Sequence, residues 1–223
     1  MQADSRPVHS NQRHVHSKLP LLIHRSISNL YQRPISSHSR KAFEQLQRRL
    51  AAKPLPLVLD SFCGTGHSTC VLAQRHPNHL VVGIDKSSNR LSKHSGSEDE
   101  NYILLQAQCE DIWRLLRNSE LTTEFHYLLY PNPWPKSSHL QRRVHGHPTF
   151  HTLLELGGRI ELRSNWQVYV EEFGIAMNLC GVPGTVAQIV PDQPITLFER
   201  KYLSSGHSLW AFIASLKASN KAQ

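Results

Sequence analysis

The 223-residue chain contains no run of about 18 apolar residues, which argues against a helical membrane span. Its first stretch, MQADSRPVHSNQRHVHSK, lacks the apolar centre of a secretory signal, and the expected location is the cytoplasm. The basic, Ser-containing composition of that stretch leaves an organelle transit peptide as the competing reading. Cysteine is scarce. Cys63, Cys70, Cys109 and Cys180 form no C-x-x-C pair, so reduced thiols are expected rather than a disulfide framework. No G-x-S-x-G occurs, which removes the nucleophile elbow. His145, His147 and His151 cluster, but the partners of a metal set are missing beside them, and no metal is expected.

What is present is charge, unevenly placed. Residues 1–53 hold ten Lys/Arg against Asp4 and Glu44, whereas residues 54–223 hold 15 of each sign. The net charge of +8 therefore belongs to residues 1–53. A basic arm on a neutral body suits an acidic polymer as partner. The expected organisation is a basic arm over 1–37 (disordered over 1–17), one domain over 38–217, and a disordered tail over 218–223. HSRKAFEQLQRRLAAK, 38–53, reads as a helix, with Ala42, Phe43, Leu46 and Leu50 recurring at helical spacing.

From residue 56 the texture becomes regular. Short apolar runs at 56–60, 80–85, 102–107, 125–131, 159–164, 185–190 and 208–214 read as strands. The segments 67–76, 87–94, 110–118, 150–158 and 166–179 read as helices between them. Such alternation predicts an α/β fold, a parallel sheet covered on both faces, with ligands at the carboxyl ends of the strands.

The first strand ends in Asp60 and runs into SFCGTGHS, where Gly64 and Gly66 let the backbone approach a ligand at the next helix. The third glycine of the dinucleotide fingerprint is absent, and a carboxylate at 60 would repel a pyrophosphate. It suits a cationic amine, as in the methionine part of S-adenosylmethionine. Asp85 ends the second strand and can accept both ribose hydroxyls. Together the two acids favour S-adenosylmethionine over NAD. Gln108, just past the third strand, can read the adenine amine, with a plain surface loop as the competing reading.

The fourth strand ends in YPNPWPKSSHLQRR. Alternating prolines cannot continue a sheet or helix, so they stiffen a tip that presents Asn132. Trp134 offers a face for a base or a wedge for the core. Two chemistries fit: Asn132 accepting from an exocyclic amine that attacks the methyl, or a guanine held so that N7 attacks, which needs placement rather than a strong base. Lys136, His139, Arg142 and Arg143 follow at once. Later come RSNWQVY, with Asn165, and TLFERK, with Thr196 and Glu199.

Over roughly 35–215, the order and spacing of PNPWPKSSHLQRR, RSNWQVY and TLFERK resemble the tRNA (guanine-N7)-methyltransferase family of the single-chain bacterial type. The resemblance implies a class I S-adenosylmethionine-dependent methyltransferase fold, Rossmann-like, with a mostly parallel seven-stranded sheet. It implies S-adenosylmethionine as donor and the variable-loop guanine of tRNA as acceptor, on a protein expected to be monomeric and to bind no DNA. By motif match it assigns Asp60 and Asp85 to the donor, beside Gly64, Gly66 and Gln108 from their positions, and Asn132 to catalysis. Lys136, His139, Arg142, Arg143, Asn165, Thr196 and Glu199 fall to the substrate. The chain departs from the family pattern at three points: Gln108, Asn132 and Asn165 stand where acids are usual. Two rival readings follow: an RNA-binding protein of this fold with little activity, and an amino-methyltransferase acting on another base.

Overall fold

In a computed structural model that describes residues 5–28, 31–96 and 101–217, the alternating pattern folds into one seven-stranded sheet. Helices α1 (Leu19–Ser28) and α2 (Ser37–Ala52) precede β1 (Leu57–Ser61). There follow α3 (His67–Arg75), β2 (Leu80–Asp85), α4 (Ser88–Leu91), β3 (Tyr102–Gln106), α5 (Cys109–Arg117) and β4 (Thr123–Leu129). Two 3-10 turns, Ser137–Arg142 and Val144–Gly146, lead into α6 (Phe150–Leu154) and β5 (Gly158–Ser164). The chain closes with α7 (Gln167–Leu179), β6 (Gly184–Ile189), α8 (Leu197–Ser204) and β7 (Leu209–Leu216). Among the described residues, no helix is long and apolar enough to cross a membrane.

The strand order is β3-β2-β1-β4-β5-β7-β6. Strands β1 to β5 run parallel, and β7 lies antiparallel between β5 and β6. Chain order reverses at β1, so the crevice between β1 and β4 is the topological switch point where such sheets bind ligands. Asp60 is in register with Gly83 on one side and Tyr127 on the other.

The apolar runs of β1 and β2 are buried throughout because both faces are covered. Leu57, Leu59, Leu80 and Val82 enter the larger core with α1, α2, α5 and α7, while Val58 and Val81 pack with Leu72 and Ala73 of α3. Helix α2 buries Ala42, Phe43, Leu46 and Leu50 as expected. Ser36 caps it by accepting from the Ser39 N–H, and the Ser36 hydroxyl donates to Asp111 at 3.1 Å, tying α2 to α5.

The structure departs from the sequence expectations at two places. Helix α8 was not foreseen, although Thr196 and Glu199 carry the Thr-x-x-Glu signature of a helix start. Thr196 Oγ1 accepts from the Glu199 N–H at 2.9 Å. The arm, expected to be disordered through residue 17, lies along the body from Ser5 onward. Ser5 N donates to Ser205 Oγ, the Ser10 hydroxyl donates to the Pro135 carbonyl, and Gln12 and His16 donate to Glu172. The acidic loop at 98–100 and the tail at 218–223 lie outside the described residues.

Candidate active site

At the end of β1, Asp60 is 1 % exposed. Ser68 Oγ and Thr69 Oγ1, both on the first turn of α3, donate to its Oδ2 at 2.7 Å, while Oδ1 is buried without a partner. Burial pushes its carboxyl up from 3.8 to about 6, against the pull of the two hydroxyls. A buried carboxylate oxygen without a hydrogen bond is costly, and a cationic amine is the group that satisfies it best. Gly66, with φ +78°, caps α3, and a Cβ there would lie 2.8 Å from Leu104 and 2.9 Å from His94. Gly64, with φ +63°, faces open space. These features fit the methionine end of S-adenosylmethionine.

Asp85 closes β2 and is also 1 % exposed. Its Oδ2 accepts from the Gly64 N–H at 3.0 Å; its Oδ1 accepts from the Ser87 N–H and from the half-exposed Arg90 guanidinium, each at 2.8 Å. A carboxylate offers about four acceptor positions, so a ribose diol competes here mainly with Arg90. Gln108 is the exposed N-cap residue of α5, without a side-chain cap bond of its own. The preceding Ala107 N–H donates to the Asp85 carbonyl, which sets Gln108 on the same edge as Asp85.

Across the switch point, the chain after β4 is bent by unusual backbone. Phe62 after β1 and Tyr130 and Trp134 after β4 have φ of +66°, +53° and +46°. For residues with a Cβ this conformation is strained, and it concentrates at the carboxyl edge. Asn132 is exposed at the tip, where its Oδ1 accepts from the Trp134 N–H at 3.2 Å, an Asx turn that fixes the side chain. Trp134 is half-buried. The Arg142 guanidinium lies over its ring at 4.9 Å, and His139 meets it edge-on at 5.5 Å. Lys136 and Arg142 are exposed.

Three expected substrate residues sit elsewhere. Arg143 is fully buried, with its guanidinium paired to Glu172 and over the Trp166 ring at 4.9 Å. It donates to the Trp134 carbonyl at 3.1 and 3.3 Å and to Gln12 Oε1 at 3.0 Å. Its donors are spent on the protein, so it holds the tip instead of gripping a substrate. Burial alone would raise the Glu172 carboxyl. The hydrogen bond from His145, the charges of His145 and Arg143, and the His16 N–H bring it down to about 2. Glu199 is likewise fully buried. It accepts from Tyr130 Oη and Arg163 Nη1 at 2.8 Å and from the Ile195 N–H at 2.5 Å, which fastens α8 to the ends of β4 and β5. Thr196 is spent as the α8 cap. Asn165, past β5, donates to His207 Nδ1 at 3.2 Å, and His207 Nε2 donates to the Ser5 carbonyl at 2.9 Å.

The family model described as "Putative methyltransferase" matches residues 54–211. The tRNA (guanine-N(7)-)-methyltransferase of Photorhabdus laumondii is 31% identical over 176 residues, covering 72% of each chain. The chain belongs to the tRNA (guanine-N7)-methyltransferase family. The enzyme of the same name from Acinetobacter baylyi is 26% identical over 219 residues, covering 85% of this chain and 88% of its own. Among solved structures, a mutant 16S rRNA (adenine(1408)-N(1))-methyltransferase from Catenulisporales acidiphilia with cosubstrate SAM is 14% identical. It covers 80% of this chain and 93% of its own, with a TM-score of 0.58. The fold is that of class I S-adenosylmethionine-dependent methyltransferases.

This member of the tRNA (guanine-N7)-methyltransferase family carries buried carboxylates at Asp60 and Asp85 and amides at Asn132 and Asn165. The residues that fasten its acceptor side escaped the sequence reading: Gln12, Tyr130, Arg163 and Glu172. The partners in these bonds lie 29 to 160 positions away, and no local spacing announces them.

Proposed function

We propose that the protein transfers a methyl group from S-adenosylmethionine to N7 of a variable-loop guanine in tRNA, acting as a cytoplasmic monomer. The observation that carries this reading is the pairing, across the switch point, of the unpartnered Asp60 oxygen with the stiff, exposed Asn132 tip. When bound, S-adenosylmethionine supplies an electrophilic methyl on a sulfonium. Asp60 accepts its ammonium, Asp85 its ribose hydroxyls and Gln108 its adenine amine, while Gly64 leaves open space for it and Gly66, packed against Leu104 and His94, shapes the turn.

Guanine N7 already carries an in-plane lone pair, so no side chain has to remove a proton. The work of the protein is placement, together with polar groups around the positive charge that grows on the ring. Asn132, fixed by its Asx turn, orients the base. An amide keeps the hydrogen-bond geometry of a carboxylate at roughly half the strength per bond. Lys136, His139 and Arg142 take phosphates beside the tip, and Asn165 lies at the acceptor side.

The test is methyl transfer from labelled S-adenosylmethionine into unmodified tRNA, with nucleoside analysis of the product. N7-methylguanosine, cleavable by aniline after reduction, is the expected product. A methylamine resistant to that treatment would favour the amino-methyltransferase reading. Binding of donor and tRNA without transfer would favour the RNA-binding reading.

A further inference from the structure

Phe198 stands inside the TLFERK motif, yet its side chain is 57 % exposed. Its ring lies 6.1 Å from Tyr202 at 24°, and Tyr202 lies 5.3 Å from His207 at 14°. Tyr202 also meets Tyr130 at 5.5 Å, tilted by 51°. Three near-parallel rings therefore rise from the acceptor edge, rooted at Tyr130 of the strained tip and at His207, the partner of Asn165.

The surroundings are cationic. Arg200 and Lys201 are exposed on α8, while the single acid of that helix, Glu199, is buried against Arg163. Burial first, and then the charge of Arg200, lower the pKa of His67, the first residue of α3 after Gly66. An exposed flat ring on a short aromatic stair, flanked by free-standing cations at a substrate-binding edge, is the pattern of a stacking platform for single-stranded nucleic acid. A purely apolar protein contact would not place two cations beside the ring.

We infer that Phe198 is the outer step of an aromatic ladder that stacks on a tRNA nucleobase flanking the target guanine, with Arg200 and Lys201 on its phosphates. This rests on the tRNA reading above. Stacking on a base is sequence-tolerant and strong enough that removing the ring should weaken RNA binding by roughly 10-fold.

The experiment compares Phe198→Ala, Phe198→Leu and Phe198→Trp with the wild type. It measures tRNA affinity, the KM for tRNA, S-adenosylmethionine affinity and the thermal midpoint. The expected result is weaker tRNA binding for Ala and Leu, near wild-type binding for Trp, and unchanged donor affinity and midpoint in all three. Wild-type tRNA affinity in Phe198→Ala, or full retention in Phe198→Leu, overturns the ladder. So does a wild-type dimer that Phe198→Ala dissociates without changing RNA affinity, since the ring would then cover a second copy.

A short single-stranded RNA, followed by fluorescence anisotropy, separates the two levels of the argument. If tRNA is not methylated but Phe198→Ala loses oligonucleotide binding and Phe198→Trp keeps it, the ladder stands and the substrate reading falls. If methylation proceeds and oligonucleotide binding ignores Phe198, the substrate reading stands and the ladder falls.

Discussion

The two halves of the carboxyl edge solve different problems with similar residues. On the donor side, β1 and β2 end in buried carboxylates, and Asp60 keeps one oxygen without a partner. On the acceptor side, the buried carboxylates Glu172 and Glu199 are fully engaged with Arg143, His145, Arg163 and Tyr130, and the tip itself presents an amide. The donor side stores an unmet electrostatic demand, which a cationic ligand can satisfy. The acceptor side has spent its carboxylates on holding strained backbone in place, and offers geometry and the exposed cations Lys136 and Arg142 instead. A residue type expected at a site can therefore be present and still not face it. Burial and partner count distinguish Arg143 from Arg142, although they are adjacent in sequence.

The largest effect that would break this contrast is on the acceptor scaffold. Arg143→Ala leaves Glu172 buried without its strongest partner, and removing one member of such a pair costs about 3–5 kcal/mol. Chemical denaturation should show a loss of that size. A loss below about 1 kcal/mol would mean that Arg143 is free enough to serve a substrate after all.

Next comes Asp60. Its carboxyl is raised from 3.8 to about 6, so folding favours its neutral form. Its contribution to stability is fully present below about 3.8 and is lost as the pH rises through about 6. A shift of about two units corresponds to about 3 kcal/mol. Asp60→Asn should therefore stabilise the free protein at pH 7.5 by up to that amount, with the difference from wild type shrinking toward pH 4. Donor affinity should move the other way: lost in Asp60→Asn, and in the wild type falling as the pH drops through about 6. Denaturation midpoints and calorimetric titration at matched pH measure both. A variant that gains no stability, or still binds the donor, would remove the distinction between the two sides.

These contrasts were unevenly legible in the sequence. The strands and their order of burial were readable because β1 and β2 are short continuous apolar runs between glycine and acid punctuation, a local signal. The places of Asp60, Gly64 and Asp85 at strand ends and in the turn were readable for the same reason, since a strand end followed by a glycine turn is written in adjacent residues. Arg143 was not, because the guanidinium that looks like the end of a basic run is turned inward by Glu172, 29 positions later on α7. Glu199 was misread because Thr196-x-x-Glu199 carries two meanings, a family motif and a helix cap, and the structure uses it as the cap. The arm looked disordered by composition, yet the buried Glu172 carboxylate recruits Gln12 and the His16 N–H.

The tip gives a smaller and sharper effect. Asn132→Ala should lower methyl transfer about 100-fold while sparing both donor and tRNA binding, as removal of one transition-state partner commonly does. Asn132→Asp restores the charge the acceptor side lacks and should raise the single-turnover rate above wild type. If Asp is slower than Asn, the neutral tip is tuned to its substrate, and the contrast between a charged donor side and a neutral acceptor side is functional.

The smallest effect concerns the exposed cations. Lys136→Ala should weaken tRNA binding only a few-fold at low salt and reduce the slope of log affinity against log salt by roughly 0.7–0.9, as expected for one lost phosphate contact. Arg142→Ala should do the same and also uncover the Trp134 ring, over which its guanidinium sits. Its loss should therefore exceed that of Lys136→Ala at high salt, where phosphate contacts are screened and the ring contact is not. Equal losses at all salt concentrations would mean that Trp134 packs against the protein alone and presents no face to RNA.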